Sequence, residues 1–337
     1  MAHAAHRHTP DDTSGASGAP GSTALSAGAD PVPGTGQAGP SLSLPPTAAL
    51  TAGRGGQPRL LVDAPAGYGE VYLHGATVTS WRPRGSKEVI FTSRQAVFDG
   101  RTAIRGGVPL CLPVFSDGIH GDARPRHGWA RTSPWRLLSV SPTREAGVRA
   151  LFLLSRDHLT ALYEVEVGHE LVLSLSLRND AASPRTVEAA LHTYLAVHDV
   201  TGTEVSGLDG APFTDNLSGS VLSGLPENPP PGAGGRHLLQ RGPVTVSGPV
   251  DRIYRSESDL RVSDPGHHRV ITVRKRNAAS TIVWNPWSTG SAAMPDMADD
   301  EFASMLCVEA GAVRQDAPTI MPGESWSMRA VVGTEPA

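Results

Sequence analysis

The sequence predicts an all-β fold, a large antiparallel β-sandwich. Three observations carry this. No segment sustains the 3.6-residue apolar period of an amphipathic helix. Roughly fourteen short apolar or β-branched runs are instead separated by Gly, Pro, Asn and Asp turn signals. Between residues 171 and 178, Leu171, Leu173, Leu175 and Leu177 alternate with Ser174, Ser176 and Arg178, the period of a half-buried strand.

In chain order, residues 13–49 carry Asp30 as their only charge and have no aromatic residue. Such a stretch buries too little apolar surface to offset the entropy of ordering, so residues 1–47 are expected to be a disordered tail and residues 48–335 one β-sandwich domain. Strands are expected near residues 59–62, 69–81, 88–91, 135–140 and 148–154, then 171–178 and 186–197. In the last, Val187, Ala189, Leu191, Thr193, Leu195 and Val197 form one face. Glu188, Ala190, His192, Tyr194 and Ala196 form the other. Residues 200–245 read as mostly loop, with Pro229-Pro-Pro-Gly and Gly234-Gly as breakers. Strands resume near 244–246, 269–273, 280–284, 304–309 and 325–332. Residues 296–301 are acidic and read as a loop or one helical turn.

Composition narrows the function. A formal net charge of -4 argues against a nucleic-acid partner. No apolar run reaches the roughly 18 residues of a membrane helix. Cys111 and Cys307 both lie in apolar runs, too few for a disulfide framework and without zinc-ligand spacing. They read as buried thiols of a cytoplasmic protein. His3, His6 and His8 precede no apolar stretch of a signal peptide.

One stretch concentrates chemistry. Arg101, Arg105, Arg124, Arg126 and Arg131 fall between residues 99 and 135, with His127 among them. Gly106, Gly107, Pro109, Pro113 and Pro125 forbid a long helix there, so a stiff irregular path carries guanidinium forks suited to carboxylate or phosphate. No dinucleotide fingerprint, HExxH helix or Gly-x-Ser-x-Gly elbow is present. That leaves polar residues inside apolar strands. Glu309 sits in Met305-Leu-Cys-Val-Glu-Ala-Gly and His192 in Ala189-Ala-Leu-His-Thr-Tyr-Leu. A structural hydrogen bond is the commoner reason for either alone; held rigidly across one cleft, they could serve as base and acid. Asp251, in Asp251-Arg-Ile-Tyr, is a third candidate, though a surface turn followed by an edge strand is the better explanation of that motif alone.

Seven segments together resemble the glucose-6-phosphate 1-epimerases, or hexose-6-phosphate mutarotases, of the aldose 1-epimerase superfamily. They are Gly75-Ala-Thr-Val-Thr-Ser-Trp; Asp99-Gly with Ile104-Arg-Gly-Gly-Val-Pro-Leu-Cys-Leu-Pro-Val-Phe; Arg126-His-Gly-Trp-Ala-Arg; Leu191-His-Thr-Tyr-Leu; Asp251-Arg-Ile-Tyr; Val283-Trp-Asn-Pro-Trp; and Met305-Leu-Cys-Val-Glu-Ala-Gly. The resemblance implies a galactose mutarotase-like supersandwich and interconversion of the α and β anomers of a hexose 6-phosphate. By it, His192 matches the general acid and Glu309 the general base. Asp251 and His127 match residues that orient the sugar, Arg105 and Arg131 those that hold the phosphate, and Trp284 lies in a cleft-lining motif. The implied chemistry needs no cofactor and no metal, and its partner is a small phosphorylated sugar bound by a monomer, with no nucleic acid or membrane. His192 would have to be charged, with Asp251 as a carboxylate able to raise its pKa. Ser116-Asp117-Gly118 and Trp129 depart from the family pattern and bear on the substrate. The competing expectations are an epimerase for another aldose and a non-catalytic carbohydrate-binding protein on the same fold.

Overall fold

Two large sheets dominate the computed structural model, which describes residues 42–217 and 238–337. Most of the expected tail, and the Pro229 and Gly234 breakers, lie outside the described residues. Leu44 packs against the core, and the first strand is Ala48–Ala52. A nine-stranded sheet runs in the order Val244–Thr245, Glu204–Ser206, Leu260–Asp264, Arg269–Arg276, Ser325–Pro336, Leu171–Asn179, Leu159–Val167, Val148–Arg156, Arg136–Pro142. An eight-stranded sheet runs Leu238–Leu239, Pro212–Asp215, Val250–Arg255, Ser280–Asn285, Met305–Ala312, Ala189–Leu191, Leu110–Cys111, with Tyr194–Ala196 also paired to Met305–Ala312. Residues 48–83 add a four-stranded meander. Every pairing between these strands is antiparallel.

The alternating leucines do what their period implies. Leu171, Leu173, Leu175 and Leu177 are fully buried, in one cluster with Leu191, Leu306, Val308 and Ala310 of the other sheet. The two sheets therefore pack face to face, each large apolar side chain contributing roughly 1.5–3 kcal/mol by leaving water. Met305–Ala312 is buried along its whole length. Leu306, Val308 and Ala310 turn to that core, so Cys307, Glu309 and Gly311 turn to the opposite face. A strand covered on both sides reads as a nearly unbroken apolar run.

Three expectations fail locally, the first being the loop expected over 200–245, whose described residues include the strands Glu204–Ser206, Pro212–Asp215 and Leu238–Leu239. Residues 88–91 form no strand; they run extended with one bridge, Ile90 to Leu195. A short α-helix, Trp287–Ala292, stands where Asn285-Pro-Trp was expected only to interrupt a strand. The Asn285 side-chain oxygen accepts from the Trp287 N–H and starts that turn, and six residues are too few to show a helical period.

Candidate active site

The seven side chains singled out in the sequence, Arg105, His127, Arg131, His192, Asp251, Trp284 and Glu309, border one cavity of about 330 Å³. Strand register explains how distant positions meet. Leu191 pairs with Ala310, and Tyr194 with Cys307. The same register on either side sets His192 opposite Glu309. Ile282 lies on the other side of Glu309. One row along, Tyr194, Cys307, Trp284 and Asp251 stand side by side across four strands. Arg105 is delivered by the turn at Gly106 and Gly107, both at positive φ. A side chain at Gly107 would meet the Val78 carbonyl at 2.3 Å, and one at Gly106 the Thr92 Cα at 2.5 Å, so the path requires glycine.

Glu309 is 1 % exposed, and neither carboxylate oxygen has a hydrogen-bond partner among the described residues. His192 Nδ1 lies 3.3 Å from Glu309 Oε1 but is not aligned with it as a hydrogen bond. Burial, and then the negative charge of Asp251, push the Glu309 pKa well above the ordinary carboxylate range. Burial, with His127, Arg131 and Arg105 nearby, holds His192 well below its ordinary value. The free site thus favours a neutral imidazole beside a carboxylic acid. This reverses the expected charged His192. The charged form is opposed by dehydration and by cations, and the nearest carboxylate, Glu309, is itself favoured in its protonated form. Asp251 does not supply the compensation expected of it: its Oδ1 accepts from Asn216 Nδ2 at 2.8 Å, and burial raises its own pKa.

His127 has a different job. Its Nδ1 accepts from the Ser116 N–H at 3.2 Å and lies 3.1 Å from Cys111 Sγ. That assigns the ring hydrogen to Nε2. Burial first, then Arg131 and the other arginines, lower its pKa to about 3. His127 is therefore a neutral donor over the working pH range. Its φ of 63° is held by its N–H, which donates to the Ser116 carbonyl.

The two arginines matched to phosphate binding are not equivalent. Arg105 Nε donates to Asp296 Oδ1 at 3.1 Å and Nη1 to Tyr194 Oη at 3.2 Å. Arg131 Nη2 donates to the Arg126 carbonyl at 3.0 Å, while its buried Nε has no partner among the described residues. No carboxylate among the described residues pairs with Arg131 or Arg126.

The cavity also takes in Arg126, Tyr194, Asn216, Ser116 and Met294. Tyr194 was legible as a neighbour of His192 by period two, and the rings stack at 4.8 Å and 12°. Arg126 stood in a quoted motif without a role. Asn216 and Met294 lie in loops and carry no periodic signal.

A buried acid–imidazole pair and several arginines thus line one cavity on a sheet face of an antiparallel β-sandwich. The aldose 1-epimerase family pattern matches residues 62–332, and the chain belongs to that family. A relative from Cenchrus ciliaris is 32% identical over 286 residues, 80% of this chain and 82% of the relative. One from Escherichia coli K12 is 32% identical over 260 residues, 74% of this chain and 81% of the relative. Both are provisionally named glucose-6-phosphate 1-epimerase. A Salmonella typhimurium crystal structure, provisionally described as a mutarotase, superposes with a TM-score of 0.76 at 26% identity, covering 88% of this chain and 96% of its own. No described helix is long and apolar enough to cross a membrane.

Proposed function

We propose that this protein interconverts the α and β anomers of a hexose 6-phosphate, glucose 6-phosphate foremost, by opening and reclosing the ring. The observation that carries this is Glu309: fully buried, without a hydrogen-bond partner among the described residues, and opposite His192 on the floor of an arginine-lined cavity. A structural carboxylate so placed would be saturated with hydrogen bonds. This one has both oxygens left for a ligand.

The pair works with one shared proton. Ring opening requires the Glu309 carboxylate to take the C1 hydroxyl proton while the His192 imidazolium protonates the ring oxygen. The result is a carboxylic acid and a neutral imidazole, the pattern the free site favours. Half a turn about C1–C2 presents the other aldehyde face, and reclosure returns both protons. The substrate phosphate supports the charged starting pattern, because its negative charge cancels part of the field of Arg131 that depresses His192. His127 and Asp251 orient hydroxyls, and Trp284 supplies an apolar wall for the sugar. Each proton transfer contributes on the order of 10²–10⁴-fold. All these side chains come from one chain, so a monomer suffices, and a cytoplasmic location matches where phosphorylated sugars are held.

Anomer exchange measured by NMR magnetisation transfer, with glucose 6-phosphate and glucose at equal concentration, tests the reading. Acceleration of the phosphate ester alone is expected; acceleration of neither overturns it. Arg131→Ala should weaken the phosphosugar at least tenfold, as for loss of a charged hydrogen bond, and the parent sugar little. A second reading, an epimerase for a neutral aldose, is favoured by the Arg105–Asp296 pair, which already neutralises one of the two arginines. Equal losses in Arg131→Ala would select it.

A further inference from the structure

We propose that the cavity floor is also a binding site for a soft divalent cation of the zinc class, held by His192 Nδ1, Cys307 Sγ and a Glu309 carboxylate oxygen, and that the bound cation blocks the site.

Cys307 and Glu309 are two apart on Met305–Ala312 and share its cavity-side face, and His192 stands opposite Glu309. One donor atom from each of the three lies within 4.8 Å of the others. The His192 Nδ1 to Glu309 Oε1 separation of 3.3 Å matches the edge of a tetrahedron with metal bonds of about 2.0 Å. Sulfur needs to sit about 3.5 Å from the other two donors, against at most 4.8 Å here, so Sγ closes by about 1.3 Å at most. The fourth tetrahedral position faces the cavity and is filled by solvent.

The donors are free to bind. Nδ1 and both Glu309 oxygens lack hydrogen-bond partners among the described residues, and Cys307 is in no disulfide. Imidazole, thiolate and carboxylate form a donor set that zinc-class cations accept. Thiolate and carboxylate cancel the charge of a divalent ion, giving a neutral centre where a lone charge would be costly. Arg131 opposes a cation here; Asp251 offsets it, and Arg105 is already paired with Asp296. Binding displaces the thiol and carboxyl protons to solvent, so it tightens as pH rises. A Glu309 tied to the ion cannot accept the C1 proton, and His192 cannot return one.

The chain has two cysteines, and none lies in the His-rich N-terminus, so a sulfur-to-metal band reports this site even if His3, His6 and His8 take up metal. The full-length protein is titrated with Cd²⁺ and its thiolate-to-metal charge-transfer absorption followed. The band is expected in the wild type and in Cys111→Ser, and absent in Cys307→Ser; Cys307→Ala serves if the serine variant does not fold. In parallel, Zn²⁺ should inhibit anomer exchange, and Cys307→Ser should raise the half-inhibiting concentration on the order of 100-fold, each protein being read against its own uninhibited rate. No band in the wild type, a band surviving in Cys307→Ser, or equal inhibition of both proteins overturns the proposal. The band needs no turnover, so it stands or falls separately from the epimerase reading.

Discussion

Two buried acids in this protein are treated in opposite ways. Asp264 is fully buried and saturated: it accepts from the His198 N–H at 3.0 Å, His267 Nδ1 at 2.9 Å and Arg269 Nε at 2.9 Å. Arg269 in turn donates to the Ala196 and Glu88 carbonyls, tying the nine-stranded sheet to the site sheet. Glu309, equally buried, accepts nothing among the described residues. Burying a carboxylate costs several kcal/mol. At Asp264 that cost is offset by partners and the group serves the fold. At Glu309 no partner among the described residues offsets it, so burial favours the neutral acid, and the group is kept reactive for a ligand.

The largest effects should separate these roles. Glu309→Gln keeps the shape, removes the base, and should lower the anomer-exchange rate by 10²–10⁴-fold, roughly the contribution of one proton-transfer group. Its melting temperature should hold or rise, since a dehydrated ionisable group is gone; a variant that unfolds early would make Glu309 structural. Asp264→Ala should do the converse. It leaves Arg269 buried without its anion and should cost about 3–5 kcal/mol, read by denaturant unfolding. A stable Asp264→Ala protein would break the comparison.

The pH profile sharpens it further. His192 is held well below its ordinary value and Glu309 well above, and they titrate as a pair. The free enzyme keeps a single proton on the pair from well below pH 6.5 upward until the carboxylic acid ionises. Thus kcat/KM should show no inflection at the ordinary histidine value of about 6.5; an acid limb there would mean an imidazole that titrates freely. The smallest expected effect lies in the core. Tyr163 is fully buried, and its hydroxyl has no partner among the described residues. Because that hydroxyl is dehydrated without compensation, Tyr163→Phe should be neutral or stabilise by about 1 kcal/mol, with activity unchanged. Destabilisation beyond 1 kcal/mol would mean the hydroxyl is satisfied after all.

The sequence by itself determined the sheet faces. Leu171 to Leu177 had to turn one way because side chains alternate along a strand, and the run around Glu309 set a carboxylate inside an apolar strand. It also flagged seven of the side chains that line the cavity, though not Asn216 or Met294. It did not show that residues 88–91 would make one bridge to Leu195 rather than a full strand, because strand length depends on how far a partner edge runs alongside.

Only the tertiary structure decided what those residues do to one another. Glu309 lies 117 positions after His192, and their meeting depends on the register of strands joined by long connections. Register between distant strands is fixed by packing, not by local pattern. The direction of the pKa shifts was likewise undetermined, since it depends on how much water the fold removes and which charges it leaves close. The same holds for Arg105 and Arg131. They are alike in the chain, yet among the described residues only Arg105 has a carboxylate folded against it.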